Sequence, residues 1–195
     1  ATHLGFNVVS LSGGEPLVYA GLDEVIATAA ACNARVNLVS NGILICSPRY
    51  ERHAGRFSVV ALSLDGLPER HNAIRGSAKS FDQVKAAAAA LREQRQPFGI
   101  IHTLCSESMD EVEEIAALAS DWGASLLQLH PLEVSPGRPN PPQMTATQII
   151  ADATKVIART TGRCEEEAGH PVELELAAGI AGEWLDLEAL AGAPP

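Results

Sequence analysis

Cysteine is scarce in this chain, and its spacing does not suit a metal site. The 195 residues contain four cysteines, Cys32, Cys46, Cys105 and Cys164. No two of them are close enough for a CxxC or CxxxCxxC set, in which neighbouring thiolates share one metal. We therefore interpret all four as reduced, mainly structural thiols, and predict no metal ligand within this sequence.

Basic residues and long apolar runs are also lacking. The chain has 14 lysines and arginines against 24 aspartates and glutamates, which gives a formal charge of −10. Such a charge argues against nucleic acid as the main partner, because phosphate backbones repel it. No apolar run is long enough to span a bilayer, and no signal-peptide pattern opens the chain. We expect a cytoplasmic protein without a membrane partner.

The length suits one domain over residues 1–195. It is short of the about 250 residues of a complete (β/α)8 barrel. The chain begins with Ala1 instead of methionine and ends in two prolines. We therefore expect it to be a piece of a longer protein.

Short apolar segments alternate with helical patterns along the chain. This alternation predicts a parallel sheet with helices outside it, either an open barrel or a flat doubly wound sheet. Capping boxes at Ser80 and Ser108 predict two of the helix starts. Polar loops are predicted over 67–79 and, with five prolines, over 131–143. The predicted strands are 8–12, 36–40, 58–64, 98–104, 125–130 and an edge strand at 172–176, and the helices are 22–32, 48–54 and those starting near 80, 108 and 145.

Polar residues follow or end most of the predicted strands. In parallel α/β folds the ligand lies at the carboxyl ends of the strands, so we predict one polar crevice there. We interpret the two histidines of this set as buried and hydrogen-bonded, and not as metal ligands. The residues are Ser12 to Glu15, Ser40, Asn41, Ser63, Asp65, His102, Thr103, Gln128 and His130.

The first strand ends in Ser12-Gly13-Gly14-Glu15-Pro16. Two glycines let the backbone turn sharply and let a ligand approach it closely. Pro16 fixes the turn, and the Glu15 carboxylate could accept hydrogen bonds from a ligand's ammonium group. An ordinary strand-to-helix turn with a solvated glutamate would explain the same residues.

Gly13 to Pro16 match the Gly-Gly-Glu-Pro motif of the radical SAM superfamily, in which the glutamate binds the amino group of S-adenosylmethionine (SAM). The run from Ser63 to Asp82 resembles the same region of radical SAM peptide and sulfatase maturases. That resemblance implies that Ser63 and Arg75 lie near the methionine carboxylate or the ribose of SAM. It covers about residues 6–135, and 136–195 would complete the domain. The candidate cofactor-binding residues are Ser12, Gly13, Gly14, Glu15, Pro16, Ser40, Asn41, Ser63, Asp65 and Arg75.

The resemblance implies a partial (β/α)6 TIM-like open barrel with parallel strands and SAM-dependent radical chemistry. In that chemistry a [4Fe–4S] cluster reduces SAM, and the resulting 5′-deoxyadenosyl radical abstracts a substrate hydrogen, here expected from a peptide or protein. The family's CxxxCxxC loop precedes the glycine–glutamate turn, yet no cysteine lies among the 12 residues before Gly13. We therefore expect that the first βα unit is missing, and that the cluster and SAM cleavage both require the upstream segment.

Two alternatives remain open on the sequence. One is a degenerate, cluster-less barrel that binds SAM or a peptide without catalysis. The other is a non-radical barrel lyase or isomerase that uses Glu15 or Asp65 as its base.

Overall fold

A computed structural model describes residues 6–105 and 107–132 and the backbone of 173–176. Within these residues six parallel strands form one sheet, and their order in space equals their order along the chain. A doubly wound sheet would reverse its strand order at a switch point. The uninterrupted order instead gives a curled half-barrel, which confirms the partial-barrel prediction. The strands are β1 (Val8–Leu11), β2 (Arg35–Ser40), β3 (Val59–Ser63), β4 (Phe98–Leu104), β5 (Leu126–Pro131) and β6 (Glu173–Leu176).

Helices connect β1 to β5 on the outer side of the sheet. The last helix within the described residues ends at Gly123, whose φ of 86° is the left-handed conformation that glycine adopts readily at a helix end. This part of the chain also contains two short 3₁₀ helices, Pro16–Val18 and Met109–Glu111. The α-helices are α1 (Leu22–Ala31), α2 (Pro48–Glu51), α3 (Pro68–Arg75), α4 (Ser80–Glu93) and α5 (Val112–Trp122).

Side chains alternate across the sheet, because residues two apart in a strand share a face. Leu38 in β2, Leu62 in β3 and Ile100 in β4 are fully buried, whereas the side chains between them are mostly half-buried. The buried face forms one core with the apolar stripes of α1, α4 and α5. The other face lines a cavity of about 180 Å³ that reaches from Ser10 to Gln128.

The predicted loop over 67–79 is wrong, because it contains α3. Pro68 occupies the first helical turn, and Gly76 ends the helix in the left-handed conformation with φ of 65°. The helix buries only His71. It therefore lacks the apolar stripe from which a helix is recognised in a sequence.

The prediction that Ser80 and Ser108 cap the helices that follow them is also wrong. Neither hydroxyl caps its helix: Ser80 Oγ lies 3.0 Å from His71 Nε2, and Ser108 Oγ accepts a hydrogen bond from Cys105 N at 3.0 Å. The edge strand predicted at 172–176 is confirmed, since β6 pairs with β5 in parallel. The predictions for 133–171 and for the tail after 176 lie outside the described residues.

Replacing Leu62 with alanine should destabilise the fold by about 2–5 kcal/mol, because the fully buried side chain would leave a cavity between the sheet and its helices. The matched control is Leu132→Ala, whose side chain is 43% exposed and which should change stability by less than about 0.5 kcal/mol. Urea denaturation measures both values. Equal losses would contradict the assignment of this face as the core.

Candidate functional site

The polar strand ends lie at one edge of the sheet, as parallel strands require. Ser12, Gly13 and Gly14 follow β1 as an exposed turn. Gly13 has a φ of +128°, a conformation that other residues rarely adopt. A Cβ built on Gly13 or Gly14 would meet no atom within 4 Å. The turn therefore presents its backbone to whatever occupies the space above the sheet.

Glu15 is held in place by hydrogen bonds from two parts of the chain. Its Oε1 accepts from Leu17 N at 3.1 Å, so that it caps the 3₁₀ helix Pro16–Val18. Its Oε2 accepts from Ser40 Oγ at 3.0 Å and from Asn41 N at 2.9 Å. A carboxylate offers about four acceptor positions, so these bonds leave one of them, on Oε1. The Glu15 carboxylate is therefore held by the protein and not simply solvated, although the turn does lead from a strand into a short helix, as the alternative expected.

Ser40 and Asn41 support Glu15 from the end of β2. Ser40 is buried on the face that carries Val36 and Leu38, and its Oγ also accepts from Gly42 N at 3.1 Å. The Asn41 side chain accepts from Ile43 N at 3.0 Å, which stabilises the turn after the strand. Both residues were predicted to contact the cofactor, and in the structure both make contacts within the protein.

Three further candidate residues lie at the end of β3 or in the segment that follows it, namely Ser63, Asp65 and Arg75. Ser63 is the last residue of β3 and is half-buried on the cavity side, in line with Ala61. Asp65 is buried, and its Oδ2 lies 2.5 Å from Arg75 Nε. Arg75 is the last residue of α3, so the prediction that it lies in a loop is wrong. Asp65 and Arg75 thus form an ion pair with each other.

His71 is a supporting residue that the sequence reasoning missed. Its ring is buried, and its Nδ1 accepts a hydrogen bond from Asp65 N at 3.1 Å. An imidazole nitrogen that accepts an N–H carries no proton, so the proton is on Nε2 and is donated to Ser80 Oγ. Burial lowers the pKa of His71. The 3.8 Å approach of Asp65 Oδ2 to Nδ1 is therefore not a salt bridge.

His102 lies on the helix side of β4 and not in the predicted crevice. It shares the buried face of Ile100 and Leu104, and its Nδ1 donates to Leu64 O at 2.7 Å. Burial lowers its pKa, and its buried Nε2 has no hydrogen-bond partner among the described residues. The prediction of a buried, hydrogen-bonded histidine is confirmed here.

His130 lies on the other face of the sheet. It is half-buried, on the same side of β5 as Gln128, and its backbone pairs in register with Thr103 of β4. The predicted burial of His130 therefore holds only in part, because the residue is half-buried while its Nε2 atom is buried. Gln128 lines the cavity on that face.

No group of three His, Cys, Asp or Glu side chains within 6–105 and 107–132 could hold a metal ion. Cys32 and Cys46 are exposed free thiols, and Cys105 is a half-buried one. The described residues therefore do not fit the ligand set of a [4Fe–4S] cluster. None of the helices in this part of the chain has the length and apolar character needed to cross a membrane.

A sequence profile of the radical SAM superfamily matches residues 1–119, so the chain belongs to this superfamily. The AdoMet-dependent heme synthase of Methanosarcina barkeri is 30% identical over 123 residues, which are 62% of this chain and 35% of that protein. The PqqA peptide cyclase of Xanthomonas campestris is 28% identical over 131 residues, 66% of this chain and 35% of that protein. The chain thus spans about a third of the length of these curated relatives.

The fold has solved counterparts. The crystal structure of Streptococcus suis SuiB bound to S-adenosylmethionine matches with a TM-score of 0.72 at 17% identity, over 88% of this chain and 39% of that one. At this identity the likeness shows the fold, a partial barrel of the same kind.

Stability should fall as the pH is lowered from about 7.5 to about 5.5, because two buried histidines are held neutral. Burial lowers the pKa of His71 and His102 below the ordinary 6.5, so below that pH the unfolded chain binds protons that the folded chain does not. The loss is at most about 1.4 kcal/mol per pH unit for each histidine. Urea denaturation across this range measures it, and His71→Gln should flatten the dependence. A pH-independent stability of the unsubstituted chain would contradict the neutral assignments.

Proposed function

We propose that this chain is the SAM-binding part of a radical SAM enzyme that modifies a peptide or protein. The observation that carries the proposal is the Glu15 carboxylate, fixed beside an open glycine turn with one acceptor position left on Oε1. A fixed negative charge with a remaining acceptor suits the ammonium group of SAM, because hydrogen bonds between charged groups are about twice as strong as neutral ones.

Ser63 and Arg75 are proposed for the other end of the methionine moiety or for the ribose. Ser63 is half-buried on the cavity side at the end of β3, where a short hydroxyl reaches a carboxylate or sugar oxygen. Arg75 uses its Nε for Asp65. A bidentate contact with a ligand carboxylate would therefore use its two terminal nitrogens, the geometry that guanidinium groups favour. Asp65 then orients Arg75 instead of contacting SAM.

A peptide or protein substrate is the finer part of the proposal. It is supported by the run from Ser63 to Asp82, which resembles peptide and sulfatase maturases, and by the similarity to a PqqA peptide cyclase. In the family a [4Fe–4S] cluster supplies the electron for SAM cleavage, and we assign none of the described residues to it. A cytoplasmic location and a single domain over 1–195 stay predictions.

The lyase or isomerase alternative finds less support in the geometry. A general base needs an acceptor directed at the substrate. Three acceptor positions of Glu15 are filled, and the Asp65 carboxylate is paired with Arg75. Both carboxylates are therefore better suited to holding charge in place than to removing a proton.

Glu15→Gln should weaken SAM binding by about 1–3 kcal/mol, or roughly 5- to 150-fold in Kd, because the charge that pairs with the ammonium group is lost. Calorimetric titration of SAM into the full-length, cluster-loaded protein measures the affinity. Glu24→Gln, an exposed position on α1, is the matched control and should leave Kd unchanged. Unchanged affinity in Glu15→Gln would remove the basis for the assignment.

Catalysis is tested separately from binding. The full-length protein is reconstituted with iron and sulfide without oxygen, given SAM and a reductant, and assayed for 5′-deoxyadenosine by chromatography. We expect 5′-deoxyadenosine to form. A cluster-loaded protein that binds SAM but forms none would instead support the non-catalytic barrel.

A further inference from the structure

We infer that Ser40 is a positioning residue whose hydroxyl orients the Glu15 carboxylate and makes no contact with SAM. The inference rests on the proposed role of Glu15. It departs from the sequence-based expectation, which placed Ser40 among the residues that touch the cofactor.

The hydrogen bonds of Ser40 fix the direction of its proton. A serine hydroxyl has one donor and two acceptor positions. Gly42 N donates to Oγ at 3.1 Å, which uses an acceptor position. Glu15 Oε2 lies 3.0 Å from Oγ, and a carboxylate only accepts, so the Ser40 proton is directed at Glu15. The only donor of the side chain is therefore committed within the protein.

Burial keeps a ligand away from this hydroxyl. Ser40 is 2% exposed and lies on the face of β2 that carries Val36 and Leu38 in the core. A residue at this position reaches the site only through Glu15. Ser63, by contrast, ends the neighbouring strand on the cavity side and is half-buried.

The hydrogen bond from Ser40 helps to fix the orientation of the Glu15 carboxylate before SAM binds. Ser40 Oγ and Asn41 N together fill Oε2, while Leu17 N takes one position on Oε1. The remaining Oε1 position then points in one direction before any ligand arrives. Preorganisation of this kind raises affinity because less ordering has to accompany binding. Ser40→Ala would remove one of the two bonds that orient Oε2 and would leave Gly42 N without its acceptor.

A double-mutant cycle tests the inference. SAM dissociation constants are measured by calorimetry for the full-length, cluster-loaded protein and for its Ser40→Ala, Glu15→Gln and doubly substituted forms. Ser40→Ala should weaken binding about fivefold or more when Glu15 is present. It should have less than about a twofold effect when Glu15 is already glutamine, because the charge whose direction Ser40 sets is then absent.

An isosteric pair separates the hydroxyl from packing. Ser40→Thr keeps the hydroxyl and Ser40→Val replaces it with a methyl group at nearly the same volume. Thr should bind SAM within about twofold of the unsubstituted protein, while Val should lose affinity as Ala does. Thermal unfolding of each variant identifies any that fails to fold, and this pair then replaces Ser40→Ala in the cycle.

The outcomes distinguish the inference from the function it rests on. If Glu15→Gln leaves the affinity unchanged, the role of Glu15 is wrong and Ser40 has nothing to position. If Glu15→Gln weakens binding but Ser40→Ala does not, or if both losses add fully, the role of Glu15 stands and the positioning inference is overturned.

Discussion

The hydrogen bonds of the Glu15 carboxylate are the constraint on which the arrangement of the polar strand ends depends. A half-buried charge is costly unless donors surround it, and here the donors come from outside its own turn. Two of them, Ser40 Oγ and Asn41 N, belong to the end of β2, while Leu17 N belongs to the 3₁₀ helix that follows. The charge therefore ties the glycine turn after β1 to the neighbouring strand. This contact adds to the backbone pairing of β1 with β2 in fixing the position of the turn.

Two other carboxylates at this edge of the sheet also accept hydrogen bonds from a neighbouring element. Asp65, after β3, is joined to the end of α3 through Arg75. Glu111, before α5, accepts from Leu67 N at 2.8 Å and from Arg70 Nε at 2.9 Å, and so joins the start of α3 to the next unit. Each carboxylate accepts from an element other than its own. Acidic residues at this edge thus hold adjacent βα units in place. At Glu15 and Glu111, hydrogen bonds from backbone N–H groups make these contacts less dependent on salt than surface ion pairs are.

The strands could be predicted because their signals are local, whereas the partial barrel was implied by the family resemblance, since periodicity alone left a flat doubly wound sheet open. Apolar periodicity and glycine-containing turns placed β1 to β5 within a residue or two of their observed ends. The helix α3 and the roles of Ser80 and Ser108 could not be predicted in this way. The helix lacks an apolar stripe, Ser80 contacts the buried ring of His71, and the Ser108 hydroxyl accepts from Cys105 N instead of capping the helix. One signal was available and unused: Ser40 is two residues from Leu38 in a strand, which places its side chain on the core face.

That alternation divides the polar strand ends into two kinds. Ser40 and His102 lie on the helix side, where packing against the core limits what the position can hold. Ser63 and His130 lie on the opposite face, where the side chains are only half-buried. Substitutions on the cavity side can change ligand binding without disturbing the core. Substitutions on the helix side can affect ligand binding only through the carboxylates and carbonyls that these side chains support. Under the proposed function, a sheet edge built in this way would keep the SAM site while the side chains on the cavity side vary with the substrate.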